Sequence, residues 1–192
     1  DTRGQLSTRR LLGLMDKAVE QSGCRHITIT GGEPLLRADA LDIIEHACGL
    51  VPSVSLITNG SHVTPEAAQR LAAAGLRSVQ LTLLAGEREL HDQLKGAVCF
   101  DDTVRAALRL KEAGVHAQVC FVAMSQNAGE LKRVMELCLV LGVTSLSYNR
   151  MSPTGRAIHN IDDLMPDAAQ IEADMEVADA LGRRWGISVA TA

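Results

Sequence analysis

Aromatic side chains are nearly missing: one Trp, one Tyr and two Phe make up 2% of the 192 residues. Since 46% of the chain is hydrophobic, Leu, Val, Ile and Ala must fill the core, and the length suits one domain of useful size. A positive surplus is missing too. Nineteen Lys and Arg against 23 Asp and Glu leave a net charge of −4, so the basic stripe that nucleic-acid binding needs has no counterpart here. No apolar run approaches the ~20 residues of a membrane span. The opening residues DTRGQLSTRR also lack the apolar centre of a signal peptide. The expectation is a cytoplasmic chain whose partners include neither nucleic acid nor membrane.

Cysteine is present without a pattern. Five occur, at 24, 48, 99, 120 and 138; an odd count at wide spacing argues against a disulfide framework and fits reduced, mostly buried thiols. No two stand two or three residues apart, so no local metal motif exists. Neither the G-x-G-x-x-G dinucleotide fingerprint nor a Walker loop is found.

What is there is one form, repeated. The segments EQSGCRHITIT, LAAAGLRSVQLTL, KEAGVHAQVCFVAM and CLVLGVTSLSYN each read as a helix end, a glycine and a strand, with ALGRRWGISVA as a looser fifth copy. Gly23, Gly75, Gly114 and Gly142 stand where a helix C-terminus wants a left-handed residue. Strands are predicted near 26–30, 54–58, 78–84, 116–123, 144–149 and 187–190. A helix is predicted over 129–141, where Leu131, Val134, Met135, Cys138 and Leu141 share a face. Another starts at Pro65 with Thr64 as its cap, and a third runs from a cap at Asp101 or Asp102 to about Ala113. Strand and helix alternate at the period of successive βα units with parallel strands. Polar, Gly-containing clusters recur at the strand ends, where closed or partial (β/α) barrels build their sites. The fold class is therefore α/β, a partial (β/α) barrel, with 1–160 as its core and 161–192 as a terminal helix and last strand of the same domain.

The cluster after the first strand is the most telling. In ITITGGEPLL, Gly31 and Gly32 let a ligand approach the backbone, Glu33 offers an acceptor-only carboxylate suited to an ammonium group, and Pro34 stiffens the exit. Taken alone, Glu33 also reads as a carboxylate favoured by a helix N-terminus, and Thr58-Asn59-Gly60 as an ordinary turn.

TGGEPLL, LITNG, SVQLTL, HDQLKG, SQNAGEL and YNRMSPTGRA, in that order over about residues 8–160, resemble the core of a radical S-adenosylmethionine (radical SAM) enzyme. The resemblance implies an incomplete TIM barrel that binds S-adenosylmethionine. It assigns Gly31, Gly32, Glu33 and Pro34 to the cofactor's methionine amino group, and brings Thr58 and Asn59 near the ligand. The family often ends its next strand in a SLDG-like sequence. Here TLLAG stands instead, so Thr82 is the implied contact and the usual acidic residue is missing. Asn127 matches an Asn after the following strand, and SPTGRA implies Pro153 and Gly155 beside the adenine with Arg156 at the rim.

The family also binds a [4Fe-4S] cluster through C-x3-C-x2-C after its first strand, and that motif is absent. The resemblance therefore implies that cluster and loop belong to upstream sequence, and that this chain alone is catalytically inactive. With the cluster, an electron donor such as flavodoxin or ferredoxin would drive formation of a 5′-deoxyadenosyl radical. The branch it most resembles includes haem-biosynthesis and peptide-modifying enzymes, implying a peptide or tetrapyrrole substrate. The residues alone leave other readings open: a clusterless S-adenosylmethionine-binding or regulatory module, or a barrel enzyme that binds phosphate near Gly155. His91 is expected to have a structural loop role and the acidic helix of the tail to present its charge to solvent, while Arg150 and Arg156 read equally as a bidentate grip on a substrate carboxylate or phosphate and as a solvated rim pair.

Overall fold

A computed structural model describes residues 4–151 and 161–191. In chain order it contains α1 (Thr8–Ser22), β1 (His26–Ile29), a 3-10 turn (Pro34–Leu36), α2 (Ala40–Leu50), β2 (Ser53–Thr58), α3 (Pro65–Ala73), β3 (Ser78–Thr82), α4 (Arg88–Lys95), α5 (Phe100–Glu112), β4 (His116–Ala123), a second 3-10 turn (Ser125–Asn127), α6 (Leu131–Leu141), β5 (Ser145–Arg150), α7 (Ile161–Leu164), α8 (Ala168–Trp185) and β6 (Ser188–Thr191). The four glycines expected at helix ends all have positive φ, between 64° and 84°.

All six strands are parallel and neighbour one another in sequence order, β1 to β6. Right-handed crossovers between such strands carry every helix to the same face, the arrangement of a partial (β/α) barrel. Alternation along each strand then sorts residues between two faces. Leu56, Val79, Leu81, Val119, Phe121, Leu146 and Tyr148 point to the helices and meet Ile44, Leu71, Leu110, Val134 and Met135 in one core. Two of the chain's few aromatics, Phe121 and Tyr148, stack there at 5.9 Å between ring centroids.

The alternate residues line the concave face: His26 and Thr28 on β1, Ser55 and Ile57 on β2, Ser78, Gln80 and Thr82 on β3, Gln118, Cys120 and Val122 on β4, Ser145, Ser147 and Asn149 on β5, Ser188 and Ala190 on β6. Six of them, Thr28, Ser55, Ile57, Ser78, Gln80 and Gln118, surround a cavity of about 170 Å³. Among the described residues this face, to which Ser53 and His116 also belong by alternation, carries hydroxyls, carboxamides, the Cys120 thiol and the imidazoles of His26 and His116, but no Asp, Glu, Lys or Arg.

Three boundaries differ from expectation for identifiable reasons. β3 stops at Thr82 rather than residue 84, because the Leu84 N–H and C=O bond to the side chains of His91 and Asn127 instead of a ladder. α5 is not capped by Asp101 or Asp102, which lie inside its first turn. Its cap comes from Asp92 on α4, whose Oδ1 accepts from Cys99 N at 2.9 Å and Phe100 N at 2.8 Å. The tail forms two helices rather than one, and Asp167 starts the second by accepting from Gln170 N at 2.7 Å. Its acidic face is not wholly solvated either: Asp174 is buried and accepts from Tyr148 Oη at 3.0 Å.

Candidate functional site

The polar strand ends gather at one end of the sheet, and Glu33 organises the first two. It sits in extended backbone before Pro34, whose missing N–H leaves the next amide, Leu35 N, to reach Glu33 Oε1 at 3.0 Å. The same oxygen accepts from Thr58 Oγ1 at 2.7 Å, and Oε2 accepts from Asn59 N at 2.8 Å. The GGEP loop and the TNG loop are thus one unit, tied through a single carboxylate. Gly60 completes the bend at φ 86°, and a Cβ there would lie 2.9 Å from Ala106 Cβ on α5. Only glycine lets the loop rest on that helix.

The other expected residues take distinct places. Thr58 is buried, and its Oγ1 also accepts from Gly60 N at 3.1 Å. The Asn59 side chain turns back on its own bend, its Oδ1 accepting from Ser61 N and Ser61 Oγ. Thr82 ends β3 half-buried on the concave face, opposite Cys120 in register. Asn127 is 1% exposed, and its side chain brackets two strand ends: Nδ2 donates to Leu84 O at 2.8 Å and Val122 O at 2.9 Å, while Oδ1 accepts from Met124 N. Pro153, Gly155 and Arg156 lie outside the described residues.

Beside Gly32 and Glu33 opens a cavity of about 640 Å³, also lined by Gln5, Leu36, Arg37, Ala38 and Asp39. Arg37 grips Asp39 with two parallel bonds at 2.7 and 2.9 Å and ties the chain start through Leu6 O at 3.2 Å. Its guanidinium, helped by Thr8, holds the Asp39 carboxyl down at about 2. Periodicity carries no signal for this pair, because Arg37 and Asp39 lie between a turn and a helix.

His91, expected in a structural loop role, stands instead on α4 and is fully buried, with Nδ1 accepting from Leu84 N at 3.1 Å. That bond puts the ring proton on Nε2, which faces Cys99 Sγ at 3.5 Å. Burial pushes His91 down to about 4 and the Cys99 thiol up, so both are neutral. His91, Asp92 and Cys99 offer three donor atoms within 4.8 Å of one another. Each is committed already: the imidazole to Leu84, the carboxylate to the α5 cap, the thiol to its proton. This trio is a structural clasp.

Two cofactors can be tested against these groups. A carboxylate has about four lone-pair sites, and Glu33 uses three, which leaves one on Oε2 for an ammonium. The bare Gly31-Gly32 backbone meets no atom within 4 Å of an added Cβ, so it is open to approach. The cradle fits the methionine end of S-adenosylmethionine. An iron–sulfur cluster fits no described residues: ligation needs clustered thiolates, whereas Cys99, Cys120 and Cys138 are separately buried and shifted towards the neutral thiol, Cys138 to about 12.

Comparison with known proteins agrees with this geometry. The family profile of the Radical SAM superfamily matches residues 1–138. Mycofactocin maturase MftC of Mycolicibacterium smegmatis is 34% identical over 167 residues, covering 86% of this chain and 42% of the relative. The AdoMet-dependent heme synthase of Oleidesulfovibrio alaskensis is 33% identical over 155 residues, 80% of this chain and 40% of the relative. The chain thus spans less than half the length of these two relatives. Among solved structures, Streptococcus suis SuiB bound to the precursor peptide SuiA superposes with a TM-score of 0.81 at 18% identity, covering 99% of this chain and 43% of that one. AdoMet-bound anSMEcpe gives 0.75 at 19%, covering 100% and 56%. These two show the fold, a radical SAM partial barrel. With the strand order, the GGEP cradle and the match over residues 1–138 in agreement, the chain belongs to the radical SAM superfamily.

Proposed function

We propose that this chain is the cofactor cradle and substrate-facing wall of a radical SAM enzyme that modifies a peptide. The observation that carries the cofactor half is Glu33: three protein donors orient its carboxylate, and one acceptor site on Oε2 remains for the cofactor's amino group. In this reading Thr82, at the end of β3, faces the ligand and Asn127 fixes the strand end beyond it, while Pro153 and Gly155 serve the adenine and Arg156 the rim. The family's cofactors, S-adenosylmethionine and a [4Fe-4S] cluster, supply hydrogen-abstraction chemistry. The residues of this chain bind, orient and exclude water.

The substrate half rests on the concave face. A tetrapyrrole presents several carboxylates, which are bound most firmly by the guanidinium or ammonium groups of Arg and Lys. Hydroxyls and carboxamides suit an uncharged stretch of peptide instead, and none of the described concave residues is Lys or Arg. SuiB with its precursor peptide and the PqqA peptide cyclase of Granulibacter bethesdensis, 29% identical over 187 residues, support a peptide. The heme synthase relative keeps the tetrapyrrole as the alternative to be tested. In this reading the cluster loop lies upstream, a flavodoxin or ferredoxin delivers the electron, and residues 161–192 close the same domain. A cytoplasmic setting fits the five free thiols, and no described helix is long and apolar enough to cross a membrane.

The test is cluster reconstitution of the enzyme with its upstream loop, read by S-adenosylmethionine calorimetry and 5′-deoxyadenosine production. Glu33→Gln weakens cofactor binding by about tenfold or more, the worth of one buried charge-assisted bond. Added peptide raises 5′-deoxyadenosine output and a carboxylated porphyrin does not. Absence of cofactor binding in the wild type removes the proposal.

A further inference from the structure

The four loops at the ends of β1 to β4 are not independent. A belt of hydrogen bonds runs from Glu33 to Asn127 and Glu130 by way of Thr103, Asp92, Cys99 and His91, which carry none of the cofactor motifs. It begins at Glu33, which holds Asn59 N at 2.8 Å. The carbonyl of the same Asn59 accepts from Thr103 Oγ1 at 2.6 Å. Thr103 is on α5 and 3% exposed; its one hydroxyl proton lies between Asn59 O and Cys99 O, the latter at 2.9 Å. Cys99 heads α5, and its amide is bound by Asp92 while its sulfur faces His91 Nε2. His91 Nδ1 then accepts from Leu84 N, Asn127 Nδ2 donates to Leu84 O, and Glu130 Oε2 accepts from Gly86 N at 3.0 Å.

Loop backbone that is buried must find partners, and here Thr103, His91, Asn127 and Glu130, from helices or a turn further along the chain, supply them, while the Cys99–His91 contact joins two side chains. His91, Asn127 and Glu130 are 0%, 1% and 6% exposed. Gly86 lets the third loop close onto α6, since a Cβ there would stand 2.5 Å from Arg133 Cβ. Loop ends of barrels are ordinarily the mobile part of the molecule. These are fastened across four neighbouring strands, with the Glu33 cradle after β1 at one end of the belt and Asn127 and Glu130 after β4 at the other.

We propose that the belt sets the position of the cofactor cradle, with Thr103 and His91 as positioning residues that touch neither cofactor nor substrate. The proposal rests on the cofactor reading above for its ligand. Thr103 fixes the carbonyl side of the residue whose amide fixes Glu33. His91 fixes the run that follows Thr82 by accepting from Leu84 N at 3.1 Å.

The experiment compares Thr103→Val, which keeps shape and removes the hydroxyl, with Thr103→Ser, which keeps the hydroxyl. It also compares His91→Leu with His91→Asn, whose Oδ1 replaces the Nδ1 acceptor. In the cluster-loaded enzyme the probe is S-adenosylmethionine, read by calorimetry, with melting temperature and amide hydrogen exchange alongside. Thr103→Val and His91→Leu raise the Kd by about tenfold, as expected for stranding a buried backbone group. Ser and Asn bring it back to within about threefold, less than the loss of one such bond. Exchange quickens at residues 59–61 in Thr103→Val and at 84–86 in His91→Leu. A lower melting temperature with unchanged Kd in the folded protein overturns the proposal, since that is the signature of a merely structural residue. Where the wild type itself fails to bind S-adenosylmethionine, the functional reading falls, and exchange alone judges the belt. Faster exchange at those amides upholds it, and wild-type protection in both variants overturns it.

Discussion

Two buried titratable residues give this fold opposing responses to pH. His91 is held neutral by burial, with Lys95 adding to the effect, and its pKa falls from 6.5 to about 4. The unfolded chain therefore binds a proton that the native chain refuses, and His91 removes stability as pH falls from 6.5 towards 4. Asp174 behaves oppositely. Burial raises its carboxyl above the ordinary range despite the Tyr148 hydroxyl it accepts. The native state holds that proton longer than the unfolded state, so the contribution is full at low pH and fades as pH rises through the raised value. Asp174→Asn keeps an acceptor for Tyr148 and removes the buried charge. At pH 7 it melts at or above the wild-type temperature, and its stability falls more steeply towards acid because the opposing contribution of Asp174 is gone. Tyr148→Phe strands Asp174 instead and costs about 1–3 kcal/mol. Denaturant melts across pH 4 to 7 distinguish these outcomes.

At the scale of elements, capping was partly legible. Thr64 and Pro65 announce α3, and Thr64 Oγ1 accepts from Ala67 N at 3.1 Å as expected. For α5 the same logic selected Asp101 or Asp102 and missed Asp92, because a cap donated from another helix leaves no local pattern. The two cases differ in consequence. Thr64→Ala removes one bond and lowers stability by about 1 kcal/mol. Asp92→Ala frees two amides and breaks the contact between α4 and α5, so it lowers stability by about 2 kcal/mol or more. Urea unfolding of the two variants side by side checks the order. His91 was read as structural, which it is, yet as a buried helix residue rather than a loop residue.

For the whole molecule, the consequential feature is the sheet's concave face, free of carboxylates, lysines and arginines among the described residues. Gln80 and Gln118 face each other in register at its centre. Gln80→Glu keeps the shape and adds a negative charge to a face on which no described Lys or Arg stands to pair it. We expect peptide-dependent 5′-deoxyadenosine production to fall by about tenfold or more while S-adenosylmethionine affinity stays within about threefold, because the change lies away from Glu33. Equal loss of both would move Gln80 into the cofactor's surroundings.

By itself the sequence determined the alternation of helix and strand, the parallel α/β class, and the polar, glycine-containing GGEP and TNG clusters at the ends of β1 and β2. Those features are local: period, capping residues and glycines act within a few positions of themselves. Only the tertiary structure decided that a single carboxylate joins the two loops, that Asn127 turns its whole side chain inward, and that Thr103 and His91 fasten strand ends 44 and 7 residues away. The physical reason is that a buried backbone group needs any well-placed partner. Its distance along the chain does not matter, so nothing in the spacing of residues reveals which partner the fold delivers.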